Sequence, residues 1–280
     1  MHMNNTKFQY FTYFLNPLEQ GNLIKDKRDK NEILREALGK TFLFKTSKSN
    51  YAYAFKAKRD NFFLAKLGRR SQLKRSSSPE KGFQAEQVDH WPNCWMVIDT
   101  NERRGKGQKI AIELKSDVFP HPFEQLKQFA DELNAHLFVC GYAMAVNPVT
   151  EERDFWDLID ENQNRIERLT LTYNVPNLFK LNNSLEKDLK QLQKEYSSTE
   201  VTIDIKNPDG KLTIPHNPLT EQSADYIARG GGQYKMKIKG KKNTISSKKN
   251  TKTRTFTDFD IEFEGDNQDV LFNTLGKIFE

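Results

Sequence analysis

The chain has 280 residues and carries 44 Lys and Arg against 38 Asp and Glu, which gives a net charge of +6. With 20 Phe and 9 Tyr it has enough apolar area for one large core or two modest ones, so its composition excludes a wholly disordered chain. No apolar run approaches the ~20 residues that a membrane-spanning helix needs, and the polar N-terminus lacks a signal-peptide core. We therefore expect a cytoplasmic protein without direct membrane insertion.

Cysteine and histidine usage predicts neither a disulfide framework nor a resident zinc ion. Cys94 and Cys140 both lie in apolar, strand-like runs, which favours buried reduced thiols. The five histidines show no i, i+4 pairing and no Cys/His spacing. The sequence indicates no cofactor, except for the magnesium alternative considered below.

The first half of the chain alternates strands with two helices. Period-two alternation or short apolar runs predict strands at residues 8–15, 41–45, 51–58, 61–66, 94–99, 109–114 and 137–146. Helical spacing predicts a helix around residues 33–38, ended by Gly39, and another at 120–133. The short connections between residues 41 and 66 indicate an antiparallel meander. Residues 69–82 are polar and basic, which predicts either a solvated loop or a loop that contacts phosphate.

The second half predicts a smaller sheet with helices. Strands are expected at residues 165–173, 200–205, 212–214, 234–239 and 254–264, and helices at 185–196, 222–229 and 267–279. This order is compatible with a split βαβ arrangement, with helices on one face of a mostly antiparallel sheet. We therefore predict an α+β protein with an N-terminal subdomain at residues 1–160 and a C-terminal subdomain at residues 161–280.

Basic residues are concentrated in one stretch of the second half. Residues 226–257 hold ten Lys and Arg and no acidic residue, so the rest of the chain sums to +6 less 10, or −4. Alternation at residues 234–239 predicts a strand with one lysine face, and a polar loop leads to the strand that begins near residue 254. We expect a long hairpin with a cationic face and tip. Such a surface suits a polyanion, most simply nucleic acid, although lysines also protect sheet edges and aid solubility.

Two sets of cations are the candidate nucleic-acid contacts. The main set is Lys235, Lys237, Lys239, Lys241, Lys242, Lys248, Lys249, Lys252 and Arg254. A second basic surface consists of Arg69, Arg70, Lys74, Arg75, Arg103 and Arg104. Because lysine outnumbers arginine in the main set and bidentate base readout favours Arg, Asn or Gln, we expect sequence-tolerant contacts to the backbone, most simply of duplex DNA. Several weak patches acting on one duplex favour a homo-oligomer.

Part of the chain resembles a known group of proteins. The pattern is carried by Arg165, Arg168, Leu169, Leu171, Pro176, Asn177, Val201, Ile203, the turn Asn207-Pro208-Asp209-Gly210, Tyr226 and Gly230-Gly231-Gly232. With residues 39–44 near the front, it resembles an uncharacterised bacterial phage-defence family related to RexA, the lambdoid phage-exclusion protein. The resemblance covers the last 120 residues best. It implies a DNA-binding protein of phage exclusion or abortive infection, with a membrane protein as its effector, and no settled active site.

A short motif offers an enzymatic alternative. Asp99 ends a predicted strand, and Glu113 and Lys115 follow in the next one, which reproduces the D…ExK pattern of restriction-type nucleases. In such enzymes two carboxylates hold a divalent metal, here Mg²⁺, against the scissile phosphate, and the lysine steadies the attacking water. We would then expect Asp99 and Glu113 to lie close together as metal ligands. The other interpretation is that Glu113 and Lys115 face solvent from a half-buried strand.

Overall fold

The computed structural model describes residues 5–18, 28–45, 49–102, 108–175, 184–257 and 277–279. Within these ranges the strands are β1 (Asn5–Pro17), β2 (Phe42–Lys45), β3 (Asn50–Arg59), β4 (Phe62–Arg69), β5 (Ser71–Ser76), β6 (Ala85–His90), β7 (Asn93–Asp99), β8 (Gln108–Glu113), β9 (Tyr142–Pro148), β10 (Ile166–Asn174), β11 (Glu200–Lys206), β12 (Gly232–Ile238), β13 (Ile245–Ser246) and β14 (Thr253–Thr257). The α-helices are α1 (Lys30–Leu38), α2 (Pro122–Leu137), α3 (Glu152–Glu161), α4 (Ser184–Tyr196) and α5 (Pro218–Tyr226). The predicted α+β class is confirmed.

The larger sheet is antiparallel throughout and is organised around β1. Its strands follow the order β2-β3-β4-β7-β8-β1, which confirms the predicted meander between residues 41 and 66. The other edge of β1 is shared by two strands, since β14 pairs with residues 5–9 and β9 with residues 11–17. A strand of 13 residues is long enough for this division.

Both faces of the larger sheet are buried, at least in part. One face packs against α1 and α2, which place Leu34, Leu126 and Phe129 in the main core. α1 begins after Asp29, whose backbone N–H donates to the Glu32 carboxylate at 3.2 Å, and α2 begins at Pro122, a residue suited to the first helical turn. The opposite face carries a smaller cluster of Phe8, Tyr10, Leu64, Val97, Ala57, Ala111, Ile278 and Phe279.

The second sheet has four antiparallel strands in the order β11-β10-β12-β13. β11 and β12 both run antiparallel to β10, so they are parallel to each other, and α5 connects them with β10 between them. This is the predicted split βαβ arrangement. Helices α3, α4 and α5 contribute Phe155, Leu189 and Ala224 to the core on one face of the sheet.

Buried polar contacts join the two sheets. The Thr12 hydroxyl of β1 donates to the carbonyl oxygen of Gly230 at 2.6 Å, and the Asn147 amide donates to the Asn174 side-chain oxygen at 2.5 Å. The chain also crosses the division expected at residue 160. α3 packs in the second core, and β14 returns to the larger sheet.

The predicted long hairpin is wrong. β12 pairs with β10 and with the two-residue strand β13, whereas the strand expected to complete the hairpin, β14, pairs with β1. An apolar contact favours the pairing of β14 with β1, because Phe256 of β14 packs edge-on against Phe8 with ring centroids 5.9 Å apart.

Smaller differences concern element boundaries. The expected loop at residues 69–82 contains β5, and residues 212–214 form no strand. The strand expected at residues 137–146 starts only at Tyr142, after a short 3₁₀ turn that ends at Gly141 with φ 79°. The helix expected at residues 267–279 lies largely outside the described residues. Within the described ranges no helix has the length and apolar character needed to cross a bilayer.

Candidate nucleic-acid interface

The outer face of the four-stranded sheet, opposite the helices, is polar and cationic. Antiparallel register aligns its side chains in three rows across β11, β10 and β12. These rows are Lys206–Arg168–Lys237, Asp204–Thr170–Lys235 and Thr202–Thr172–Gln233. Alternation sends Leu169, Leu171 and Tyr234 into the core on the other side. We call these nine row residues the cationic sheet face.

A single carboxylate organises two of the cations on this face. Asp204 receives hydrogen bonds from Arg168 Nε and Nη2 at 2.6 and 2.7 Å, and its ion pair with Lys206 spans 2.9 Å. The Thr170 hydroxyl also donates to Asp204, at 2.9 Å. Hydrogen bonds from Arg168 and then Lys206 hold the pKa of Asp204 well below its ordinary value. The face therefore has four cations and one ionised carboxylate, a net charge of +3.

The loop that follows β12 is shaped by two predicted contact residues. Lys237 Nζ donates to the carbonyl oxygens of Lys241 and Lys242, and Lys239 Nζ donates to the Asp209 carbonyl oxygen at 3.0 Å. The Lys237 bonds fold the loop back on the end of β12, and the Lys239 bond holds it against the Asn207–Gly210 turn. Among the described residues, Lys235, Lys241 and Lys242 have no carboxylate within ion-pair distance, and all three side chains are exposed. They are the cations best placed to meet an external anion.

The rest of the predicted basic hairpin lies elsewhere, along the edge of β1. Lys248 pairs with Glu124 of α2 at 3.1 Å and lies over the Phe123 ring, while Lys252 pairs with Glu151 at 2.8 Å. Lys249 lines a cavity of about 460 Å³ beside the start of α2. Arg254 donates to the Lys277 carbonyl oxygen at 3.2 Å. These four cations are therefore not part of the cationic sheet face.

The second predicted basic surface is separate and partly neutralised. Arg70 pairs with Asp89 at 2.7 Å, and Arg75 lies 3.8 Å from Glu86, across the β5–β6 hairpin. Lys74 is exposed on the same hairpin, and Arg69 ends β4. β8 and β7 separate β4 from β1, the strand that contacts the second sheet. Arg103 and Arg104 lie outside the described residues.

The register of β7 and β8 separates the two carboxylates of the D…ExK pattern. Asp99 lies opposite Lys109, whereas Glu113 lies beside Trp95, whose backbone N–H donates to Glu113 Oε2 at 2.9 Å. Four residues of strand between Trp95 and Asp99 correspond to ~13 Å. The expectation that Asp99 and Glu113 lie close together is wrong, because antiparallel pairing places them at opposite ends of the two strands.

Each carboxylate already has protein partners. Asp99 is almost fully buried and accepts a hydrogen bond from the Asn101 backbone at 2.9 Å. Glu113 is also buried and pairs with Lys115 at 3.1 Å. Among the described residues no group of three or more His, Cys, Asp or Glu side chains is placed to hold a metal ion. The arrangement of these two carboxylates supports structural roles.

Sequence reasoning missed Arg168 and Lys206 as members of a cationic surface. They stand 38 positions apart, and only the pairing of β11, β10 and β12 places them in one row with Lys237. The sequence of β10 did contain a local signal for this face. Its polar residues alternate with Leu169 and Leu171, in the same way that the lysines of β12 alternate with apolar residues.

No family model, curated protein or solved structure matches the chain.

Proposed function

We propose that the protein binds nucleic acid through the cationic sheet face, by contacts to the phosphate backbone and with little sequence preference. The observation that carries the proposal is the alignment of Arg168, Lys206, Lys235 and Lys237 on one open sheet face. Lysine and arginine neutralise phosphates and release the counterions condensed around them. The exposed Lys241 and Lys242 extend the same charge beyond the end of β12.

The composition of the face favours a duplex and disfavours base readout. None of its nine residues is aromatic, whereas proteins that bind single strands stack bases on aromatic side chains. Arg168, the residue type best suited to bidentate recognition of guanine, is already engaged by Asp204. The exposed ammonium groups of Lys235, Lys241 and Lys242 remain as donors to phosphate oxygens. Duplex DNA is the polyanion we propose.

The biological role rests on the resemblance to the phage-exclusion family. It supports a cytoplasmic protein of anti-phage defence, acting in phage exclusion or abortive infection. The same resemblance supports a membrane protein as effector. A homo-oligomer would add the charge of several sheet faces on one duplex.

The test is a salt titration of binding to duplex DNA. The variant in which Lys235, Lys241 and Lys242 are all changed to Gln loses three exposed cations. If each neutralises one phosphate, the slope of log affinity against log salt falls in magnitude by about 2.7. The matched control changes Lys45, Lys56 and Lys74 to Gln, which removes three exposed cations from β2, β3 and β5, away from the cationic sheet face. Equal slopes in the two variants would contradict the assignment to the cationic sheet face.

A second variant makes the cationic sheet face more positive and should therefore have the opposite effect on binding. Asp204→Asn removes the only carboxylate on the face and frees Arg168 and Lys206 from their ion pairs. We expect tighter binding to duplex DNA and a steeper salt dependence, by up to about 0.9 for one further phosphate. Running each titration with single-stranded DNA and duplex RNA, with and without magnesium, separates the polyanions. Magnesium-dependent cleavage would instead support the nuclease alternative.

A further inference from the structure

β11 forms one edge of the four-stranded sheet, and no strand among the described residues pairs with its outer side. It runs over seven residues, Glu200–Lys206, whereas β13 at the opposite edge has only two. Natural sheets often protect such an edge with proline, a bulge or a covering loop. β11 contains no proline, and its pairing with β10 is regular along its whole length. Within the described chain, this edge is open to a further strand.

Half of the backbone groups of β11 point away from the sheet. The Asn207 N–H donates to the Glu167 carbonyl oxygen at 2.8 Å, in the same register that pairs β10 with β11. Hydrogen-bonded and non-hydrogen-bonded pairs alternate in an antiparallel ladder, so the odd-numbered residues of β11 bond to β10. The even-numbered residues direct their N–H and C=O groups outward. They are Glu200, Thr202, Asp204 and Lys206, all of them exposed.

The sequence of β11 is complementary to itself when two copies run antiparallel. A two-fold axis through Ile203, perpendicular to the sheet, places Glu200 opposite Lys206 of the second copy. The same axis places Thr202 opposite Asp204 of the second copy. Because these are the even-numbered residues, their outward backbone groups become the hydrogen-bonded pairs of the new ladder. Each dimer contains the contact between Glu200 and Lys206 twice.

The neighbouring registers lack this complementarity. An axis through Thr202 places Glu200 opposite Asp204, and an axis through Asp204 places two copies of that carboxylate opposite each other. Like charges directly opposite one another destabilise a strand pair, whereas opposite charges stabilise it. The charges of β11 therefore favour the register centred on Ile203.

The side chains on the helix-covered face of β11 also match in this register. Val201 and Ile203 are only partly buried against the core of the second sheet, and Ile205 is 42% exposed. The axis places Ile203 opposite itself and Val201 opposite Ile205 of the second copy. Pairs of β-branched side chains stabilise neighbouring strands, and this pairing would remove the exposed isoleucine from water.

From this self-complementarity we propose that two copies of the chain associate through β11, in an antiparallel pair centred on Ile203. The proposal rests on the homo-oligomer of the proposed function and specifies its interface. The two four-stranded sheets become one continuous sheet of eight strands. Because the axis is perpendicular to the sheet, both cationic sheet faces lie on the same side. A duplex that crosses this side meets the cations of both copies.

The first test is sedimentation equilibrium of the full chain without DNA, over a range of protein concentrations. We expect a reversible equilibrium between monomer and dimer. A protein that stays monomeric would refute the interface. Because no DNA is present, such a failure would not decide whether a single cationic sheet face binds duplex DNA, which the salt titration measures separately.

Charge reversal tests the register. Glu200→Lys and Lys206→Glu each place like charges opposite one another twice in the dimer, so each should raise the dissociation constant about tenfold. The double variant places opposite charges together again and should recover most of the lost affinity. Glu80→Lys, an equal change of charge at an exposed position beyond β5, is the control and should not alter association. A double variant no better than the single ones would refute the register.

A proline tests the backbone pairing. Thr202→Pro removes an N–H group that points away from β10, so the ladder within the monomer keeps its hydrogen bonds. The same substitution removes a donor from the proposed ladder between copies, and we expect a monomer. Association of wild-type strength in this variant would overturn the proposal. If Thr202→Pro fails to fold, the recovery of association in the charge-reversed double variant decides the question.

Discussion

Thr12 and Gly230 form a direct bond between the two sheets, in which the threonine hydroxyl donates to the glycine carbonyl oxygen at 2.6 Å. The contact requires close approach, because a Cβ on Gly230 would overlap the Thr12 side chain. Gly230 also has φ 84°, in the left-handed region that favours glycine. Gly230 is therefore a packing requirement at the junction of the sheets as well as a turn residue.

The first prediction is that Gly230→Ala destabilises the protein by at least about 2 kcal/mol, through overpacking and an unfavourable backbone conformation. Gly82→Ala is the matched control. Gly82 has a similar φ of 68°, but a Cβ there would have no atom within 4 Å. Its substitution should cost about 1 kcal/mol, from backbone conformation alone. Urea unfolding measures both, and equal losses would show that the contact with Thr12 is unimportant.

The second prediction concerns acid sensitivity at Asp204. Hydrogen bonds from Arg168 and Lys206 lower the folded-state pKa of Asp204 below that of the unfolded chain, ~3.9. The stabilisation is therefore present above pH ~3.9 and is lost as pH falls toward and through the lower, folded-state pKa. Asp204→Asn should be less stable than wild type at pH 7, and this difference should shrink as the pH falls below 4. A difference that stays constant between pH 7 and pH 3 in urea unfolding would contradict the ion pairing.

The third prediction separates structure from catalysis at Glu113. Glu113→Ala leaves the Trp95 backbone N–H without its acceptor and should cost about 1–3 kcal/mol. Glu113→Gln retains an oxygen that can accept this bond and should cost less. Thermal unfolding with and without magnesium provides the measurement. A stabilisation by magnesium that disappears in both Glu113→Gln and Asp99→Asn would support metal binding instead.

Local patterns predicted most individual elements, because side-chain alternation and helical spacing depend on neighbours in sequence. The strand expected at residues 8–15 lies within β1, and the helix expected at 120–133 corresponds to α2. The start of α1 also follows from local residues, since Asp29 and Glu32 satisfy each other at its first turn. The α+β class and the split βαβ arrangement follow from the order of such elements.

Strand partners could not be predicted in the same way. The residues around Phe256 alternate equally well for pairing with β12 or with β1, and the choice depends on Phe8, more than 240 positions away. The same limitation affected the candidate sites. Asp99 and Glu113 are close in sequence but are separated by register, whereas Arg168 and Lys206 are distant in sequence but adjacent in register.

The position of β14 also has a consequence for synthesis on the ribosome. β1 emerges early, but the strand that covers its residues 5–9 is made only at residues 253–257. Throughout most of translation this edge of the larger sheet exposes unpaired backbone donors and acceptors, which other nascent chains can join. Closing so distant a pair is also entropically slow. The protein should therefore depend on chaperones or a low expression rate more than a protein whose central strand is completed by its sequence neighbours.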